Sequence, residues 1–512
     1  MSKPGKVWLV GAGPGDPGLI TVRGLELLRR ADAVLYDALS HPALLKECRP
    51  DADLRDVGKR GGSLSPNQDW ITGQLIELGR AGKQVVRLKG GDSFLFARGA
   101  EEAEDLVAAG VAFEVVPGLS SPVGTSAYAG IPLTHRELSS SVTFITGSDK
   151  EGREWSPEAW RKLATATDTI CILMGMRRIG EITEAIVAGG RSPQTPVAVI
   201  QWGARPEQQV LTSTLESVAV DVKAQGLTNP AVIVVGEVVS LRSTLRWFDN
   251  KPLFAKRIVV PRAEHQAAAT AHAIRERGAE AIAFPVIRLA PPPEPERLER
   301  AVSALSNYDW VLFTSSNGVE RFFAELTRQG KDARALGNAR IGTIGPKTAE
   351  ALQRFGVRSD LCASEFVGEA LAEAVIASGF GKRVLLARAL VAREELPTRL
   401  QRAGYDVDVV PAYQTLPLEA EQCTGLAHLL GSGGADVILF TSSSTVTNTC
   451  DALGADAANV LSRLTVASIG PVTSATLKER GIAVAVTATT YTVDGLLDAL
   501  EAHFQALSAR GS

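Results

Sequence analysis

Short apolar, β-rich runs alternate along this chain with stretches whose apolar positions follow a helical period. The runs include KVWLV, DAVLY, QVVRL, VAFEVV, VTFIT, TICILM, PVAVI and AVIVV. Such alternation of strand and amphipathic helix predicts an α/β architecture with mainly parallel sheets. The pattern stops at RWFDNKPLFAK (246–256) and restarts with RIVVPR. A second break, the proline-rich LAPPPEPE (289–296), reads as a linker.

Beyond residue 256 the pattern occurs twice. KRIVVPRA at 256 matches KRVLLARA at 382, DWVLFTSSNGV at 309 matches DVILFTSSSTV at 436, and IGTIGPKTAEAL at 341 matches VASIGPVTSATL at 466. Three matches in one order at nearly one offset predict two similar α/β lobes in the second half.

The chain has 512 residues, too many for a single core, so three or four domains are expected. With 45% hydrophobic and 22% charged residues and a net charge of −3, the composition is that of an ordinary soluble protein and argues against a nucleic-acid surface. No apolar run is long enough to span a membrane, and MSKPGK does not lead into a signal-peptide core, so a cytoplasmic protein without membrane attachment is expected. Cys48, Cys171, Cys362, Cys423 and Cys450 are scattered without a CxxC pair, which fits a reducing compartment, and the six histidines lack ligand spacing. Chemistry without a protein-held metal is expected.

The loop VGAGPGDPGLIT (10–21) poses the main choice in the first half. A dinucleotide fingerprint, G-x-G-x-x-G, would have Gly11 and Gly13 but requires glycine where Asp16 stands. Pro14 and Pro17 also remove two N–H groups that a pyrophosphate would need. Asp37 in LYDAL could mimic the ribose-binding acid of a nicotinamide-dependent oxidoreductase, or the loop could be a tight strand–helix turn with no ligand.

A third reading takes in the motifs downstream of this loop. VGAGPGDPGLIT, VLYDAL, GKRGG (58–62), VVRLKGGDSFLFARG (85–99) and PGLSSPVGTSAYAGIPLTH (117–135), in that order and spacing, resemble the uroporphyrinogen-III C-methyltransferases. The resemblance covers residue 6 to about 248. It implies a two-lobed α/β methyltransferase, usually a homodimer, that holds S-adenosylmethionine between its lobes. It places the methyl donor against Pro14, Gly90, Gly91, Asp92, Leu95, Ser120, Ser121, Met174 and Gly203, and it makes Asp37 the proton acceptor and Lys59 the proton donor. Asp37 could instead cap the next element. Lys59, GKRGG and THRE (134–137) could supply charge-assisted hydrogen bonds to a polycarboxylate. The chain departs from the family's usual GDPFVFGRG at Ser93 and Ala97, and a freer loop at Ser93 is expected.

In the second half, LFTSSNGV, LFTSSSTV, IGPKTAEAL and IGPVTSATL each end a strand and open a helix. Ser and Thr cap helices, and free N–H groups with the helix dipole attract anions. Together with VVPAYQT (409–415), these stretches resemble uroporphyrinogen-III synthase over 256–500. That family's fold has two lobes joined by two crossovers. Lobe one would combine about 256–288 with 416–508, and lobe two would span about 294–412. The implied reaction expels the hydroxyl of the linear tetrapyrrole hydroxymethylbilane, inverts its last ring and closes the macrocycle without a cofactor. Tyr413 matches the family tyrosine suggested to assist hydroxyl loss, with a hydrogen-bonded core tyrosine as the alternative. Thr314, Ser315, Ser316, Thr441, Ser442 and Ser443 are candidate carboxylate contacts, with Ser364 and Thr473 behind them. Arg262 and Arg388 occupy equivalent repeat positions.

The two resemblances support each other, because the synthase's product is the methyltransferase's substrate. The expectation is a bifunctional enzyme with a methyltransferase over 1–248, a linker over 249–255 and a synthase over 256–508. It would feed uroporphyrinogen III to double methylation and yield precorrin-2 for sirohaem or cobalamin. The rivals are an NAD(P)-dependent oxidoreductase and a non-catalytic binding protein whose back lobes close on a ligand. A methyltransferase for a later tetrapyrrole is the third.

Overall fold

The computed structural model describes residues 5–58, 67–147, 155–262, 264–363 and 368–511. The chain forms two compact units. The first takes in the chain through Arg257 with Ala273–Glu280 and the segment from Leu500; the second is Ile258–His272 with Ala281–Ala499.

Two five-stranded sheets build most of the first unit. Strands β1 (Lys6–Gly11), β2 (Ala33–Tyr36), β3 (Asp53–Asp56), β4 (Gln84–Lys89) and β5 (Ala112–Val116) line up as β3-β2-β4-β1-β5, all parallel. Val7 to Val10 of β1 are all buried, Val7 and Leu9 on one face and Trp8 and Val10 on the other. Helix Gln68–Arg80 packs on the first face and helix Val22–Leu28 on the second, so β1 reads as an unbroken apolar run.

The second sheet consists of β6 (Val142–Thr146), β7 (Thr169–Leu173), β8 (Pro196–Gln201), β9 (Gln209–Thr214) and β10 (Ala231–Val235), in the order β6-β7-β10-β8-β9. Only β6 and β7 are parallel; β10 runs antiparallel to both neighbours and β8–β9 is a hairpin. The expectation of mainly parallel sheets therefore fails here, because buried antiparallel strands are as uniformly apolar as parallel ones. The break at 246–256 is not a free linker either: Phe248 stacks edgewise on Phe254 and packs against Tyr128, and Leu253 is fully buried.

The second unit contributes strands β11 (Arg257–Val260), β12 (Glu280–Ala283), β13 (Arg288–Ala290), β14 (Trp310–Phe313), β15 (Arg340–Thr343), β16 (Leu361–Cys362), β17 (Arg383–Ala389), β18 (Asp406–Leu416), β19 (Val437–Phe440), β20 (Thr465–Ser468) and β21 (Val486–Thr487). They form one sheet β12-β11-β19-β20-β21 and another β13-β18-β17-β14-β15-β16. The sequence repeat is exchanged between them. β11 of the first repeat lies beside β19 of the second, while β17 of the second lies beside β14 of the first. LAPPPEPE is only partly a linker, since Leu289 and Ala290 pair with β18 and Pro295 opens helix Pro295–Ser303.

Candidate active sites

The methyl-donor positions inferred from sequence follow the carboxyl ends of strands, where open α/β sheets bind ligands. Gly11 ends β1, Asp37 follows β2, Gly90–Gly91–Asp92 follow β4, Met174 follows β7, and Gly203 sits in the β8–β9 hairpin loop. Backbone contacts draw most of them together. Gly13 and Gly91 exchange hydrogen bonds (3.2 and 2.8 Å), and a Cβ on Gly11 would stand 2.6 Å from Gly118. At Gly91 φ is +70°, and a Cβ there would meet Ser121 Oγ at 2.9 Å. Pro14 fills the side-chain space of Gly124, Thr125 fills that of Gly203, and the Gly203 carbonyl lies where a Cβ of Gly15 would be.

The Asp92 carboxylate is spent on shape, which leaves its backbone to face a ligand. Its Oδ1 accepts from Phe94 N–H (2.8 Å) and its Oδ2 from Gly118 N–H (2.9 Å), which joins the Gly90–Asp92 turn to the segment entering helix Ser121–Tyr128. Ser93 is fully buried and donates to the Leu9 carbonyl (3.3 Å), so the loop is anchored where a freer one was expected. Among the described residues the hydroxyls of Ser120 and Ser121 have no hydrogen-bond partner, and Ser120 occupies the N-cap without capping. Among the described residues six non-glycine residues have left-handed backbone, and five of them, Phe96, Arg98, Met174, Trp202 and Ala204, lie in these strand-end loops. Such conformations cost energy and concentrate at functional sites. Met174 is 48% exposed and Leu95 half-buried.

A backbone cradle too tight for side chains, two free hydroxyls and an exposed methionine fit a nucleoside carrying a sulfonium methyl. They do not fit a dinucleotide: after Gly13 the chain makes a 3-10 turn over Pro17–Leu19, and the first α-helix starts only at Val22. The strand therefore does not run straight into a helix whose N-terminus would receive a pyrophosphate, as the dinucleotide fingerprint requires. Asp16, at the missing-glycine position, accepts from Gly18 N–H (2.7 Å) and from the Tyr128 hydroxyl (2.7 Å).

Asp37 Oδ1 lies 2.5 Å from Nη2 of Arg87, a residue that sequence reasoning missed. The signal was present: Arg87 and Lys89 interrupt the apolar run VVRLKGG at alternate positions, which puts two cations on one face of a buried strand. Lys59 lies outside the described residues, as does Ser364.

The second unit places its candidates at two equivalent points. In each sheet the chain winds outward in both directions from one strand pair, β11/β19 and β14/β17, which is where doubly wound sheets bind ligands. Thr441–Ser443 follow β19, and Thr314–Ser316 follow β14. Ser442 caps helix Ser443–Leu453 through Thr445 N–H, and Ser443 accepts from Thr476 (2.9 Å). Ser315 caps helix Ser316–Arg328, while Thr314 and Ser316 are half-buried. At the two Gly-Pro turns the N-caps are Gly345 and Gly470, not threonines; Thr348 and Thr473 lie buried within their helices.

Tyr413 in β18 is 6% exposed and its hydroxyl meets Ser315. The repeat-related arginines differ. Arg388 is buried, donates to the Arg393 carbonyl (2.8 Å) and pairs with Glu394. Arg262 is half-buried with no side-chain partner among the described residues, and burial holds its guanidinium below its ordinary pKa.

Among the described residues no helix is long and apolar enough to cross a membrane, and no three His, Cys, Asp or Glu side chains are grouped to hold a metal ion. The five cysteines are free thiols.

Two family models match the chain, Tetrapyrrole (Corrin/Porphyrin) Methylases over residues 6–219 and Uroporphyrinogen-III synthase HemD over 268–498. The porphyrin biosynthesis protein HemD of Ruminiclostridium josui is 37% identical over 97% of this chain and 97% of its own. A uroporphyrinogen-III C-methyltransferase of Sinorhizobium sp is 50% identical over 50% of this chain and 94% of its own. That of Bacillus subtilis (strain 168) is 37% identical over 70% of this chain and 73% of its own.

Proposed function

The chain belongs to the family of the porphyrin biosynthesis protein HemD, an enzyme family of tetrapyrrole biosynthesis that here carries methylase and synthase segments, and we propose that it makes uroporphyrinogen III and then methylates it twice to precorrin-2. The synthase is assigned to about 256–508 and the methyltransferase to 1–248. The whole-length match to one relative carries the reading, because it accounts for both segments in one chain.

In the methyltransferase, Pro14, Gly90–Asp92, Leu95, Ser120, Ser121, Met174 and Gly203 would hold S-adenosylmethionine, which supplies an electrophilic methyl group when bound. Most of the rate comes from holding the pyrrole carbon in line with that methyl. Methylation leaves the ring system with one proton too many, and the Asp37 carboxylate takes it. Lys59 returns a proton or grips a substrate carboxylate. By the same resemblance the methyltransferase works as a homodimer.

In the synthase, Thr314–Ser316 and Thr441–Ser443 hold substrate carboxylates, and Tyr413 assists hydroxyl loss. The linear substrate closes unaided without inversion, so the protein's task is to favour one conformer.

Two assays on the full chain test the proposal. Hydroxymethylbilane should yield predominantly isomer III, and uroporphyrinogen III with labelled S-adenosylmethionine should gain two methyl groups. Isomer I alone from the first, or no label transfer in the second, removes the corresponding half.

A further inference from the structure

Four charged side chains meet at the carboxyl end of the first sheet. Arg87 Nε lies 3.3 Å from Glu102 Oε1, and Lys89 Nζ lies 2.8 Å from the same oxygen. Gln68 Nε2 adds a third bond to it at 3.0 Å. Arg87 and Lys89 are 3% exposed, Glu102 is 0% and Asp37 is 28%. Glu102 balances only one of the two cations, and Asp37 supplies the second negative charge.

The guanidinium is fixed independently of Asp37. Its Nη1 donates to the carbonyls of Leu35 (3.4 Å) and Leu88 (3.2 Å), and its Nε is held by Glu102. The remaining nitrogen, Nη2, points at Asp37 Oδ1. Asp37 N–H in turn donates to the Leu88 carbonyl (3.2 Å), so backbone and side chain are both tied to β4. Oδ2 has no partner among the described residues.

We propose that Arg87 is a positioning residue for methyl transfer: by gripping Oδ1 from a pre-set guanidinium, it turns Oδ2 of Asp37 toward the macrocycle as the oxygen that receives the proton. The methylated ring is cationic; its carbon–hydrogen bond breaks, the electron pair stays in the macrocycle, and the proton bonds to Oδ2, leaving a neutral carboxylic acid. The inference rests on the reading of Asp37 as proton acceptor.

A mutant cycle on the full chain separates the two claims, with single-turnover methylation of uroporphyrinogen III and calorimetric S-adenosylmethionine binding as readouts. Arg87→Met should slow methyl transfer about 100-fold, the scale of a misplaced catalytic group, while donor Kd changes less than about twofold. Asp37→Asn should be at least as slow, and the double variant should be no slower than Asp37→Asn, because Arg87 acts only through Asp37. Arg87→Lys, which keeps the buried cation but loses the fork, should recover part of the rate and guards against a folding failure of Arg87→Met. Losses that multiply in the double variant, or donor affinity falling with rate, overturn the positioning role. An Asp37→Asn chain at full speed overturns the acceptor reading beneath it.

Discussion

The Tyr413 hydroxyl lies 3.1 Å from Ser315 Oγ, and that serine oxygen also accepts the Gly318 N–H (3.1 Å) at the start of helix Ser316–Arg328. A strand of one element is thereby latched to the helix start that follows another. Tyr413→Phe deletes a single hydrogen bond, with a net stability cost of about 1 kcal/mol. Synthase turnover should fall at least about tenfold, and isomer I should rise as unaided closure competes. Isomer analysis beside a thermal melt checks this: an unchanged rate with only the small loss of stability assigns Tyr413 to the core.

Gly91 cannot carry a side chain without both backbone strain, at φ +70°, and a collision with Ser121 Oγ. Gly91→Ala should weaken S-adenosylmethionine binding by tenfold or more, given a strain of about 1–3 kcal/mol at such positions. The synthase rate of the same chain should be unchanged, which serves as an internal control. Calorimetric titration and the isomer assay on one preparation check both.

His41 Nδ1 accepts the Ala43 N–H (3.1 Å), and burial together with the nearby Arg205 guanidinium holds the imidazole pKa down to about 4 from 6.5. Between those two values the unfolded chain binds more protons than the folded one. The contribution to stability is therefore complete above pH 6.5, falls as pH drops through that window, and levels off near pH 4. Its full size is at most about 3 kcal/mol. His41→Asn keeps a cap acceptor and removes the titration, so its melting temperature should vary less between pH 6.5 and 4 than that of the parent. Equal slopes for the two proteins count against this.

Arg262 and Arg388 occupy equivalent positions, yet among the described residues only Arg388 has an acidic partner. Arg262→Gln should raise the KM for hydroxymethylbilane about tenfold, the loss of one charge-assisted hydrogen bond, without lowering the melting temperature. Arg388→Gln should lower stability by about 1–3 kcal/mol through its unpaired carbonyl and carboxylate partners, with a smaller effect on KM. Steady-state kinetics and melts of the two variants decide it.

Much of the architecture could be read from the chain because strand runs such as VWLV and VILF are apolar on both faces, and the three repeated stretches fall on matching strands. The antiparallel course of β10 was not legible: AVIVV looks the same whichever way its neighbours run. Nor was the exchange of β11 and β17 between sheets, since a repeat reports similarity and not pairing. In the site, glycines and serines marked the loops, whereas the roles of Asp92 and Asp16 emerged only once their backbone partners were placed. The grip of Arg87 on Asp37 spans 50 positions and depends on β2 lying beside β4, which no local pattern encodes.

The most direct test of the bifunctional reading is a single incubation of the full-length chain with hydroxymethylbilane and isotopically labelled S-adenosylmethionine, followed by mass analysis of the macrocycle. The account predicts a cyclic product of the isomer III series carrying two labelled methyl groups. An unlabelled macrocycle, or one of the isomer I series only, contradicts it.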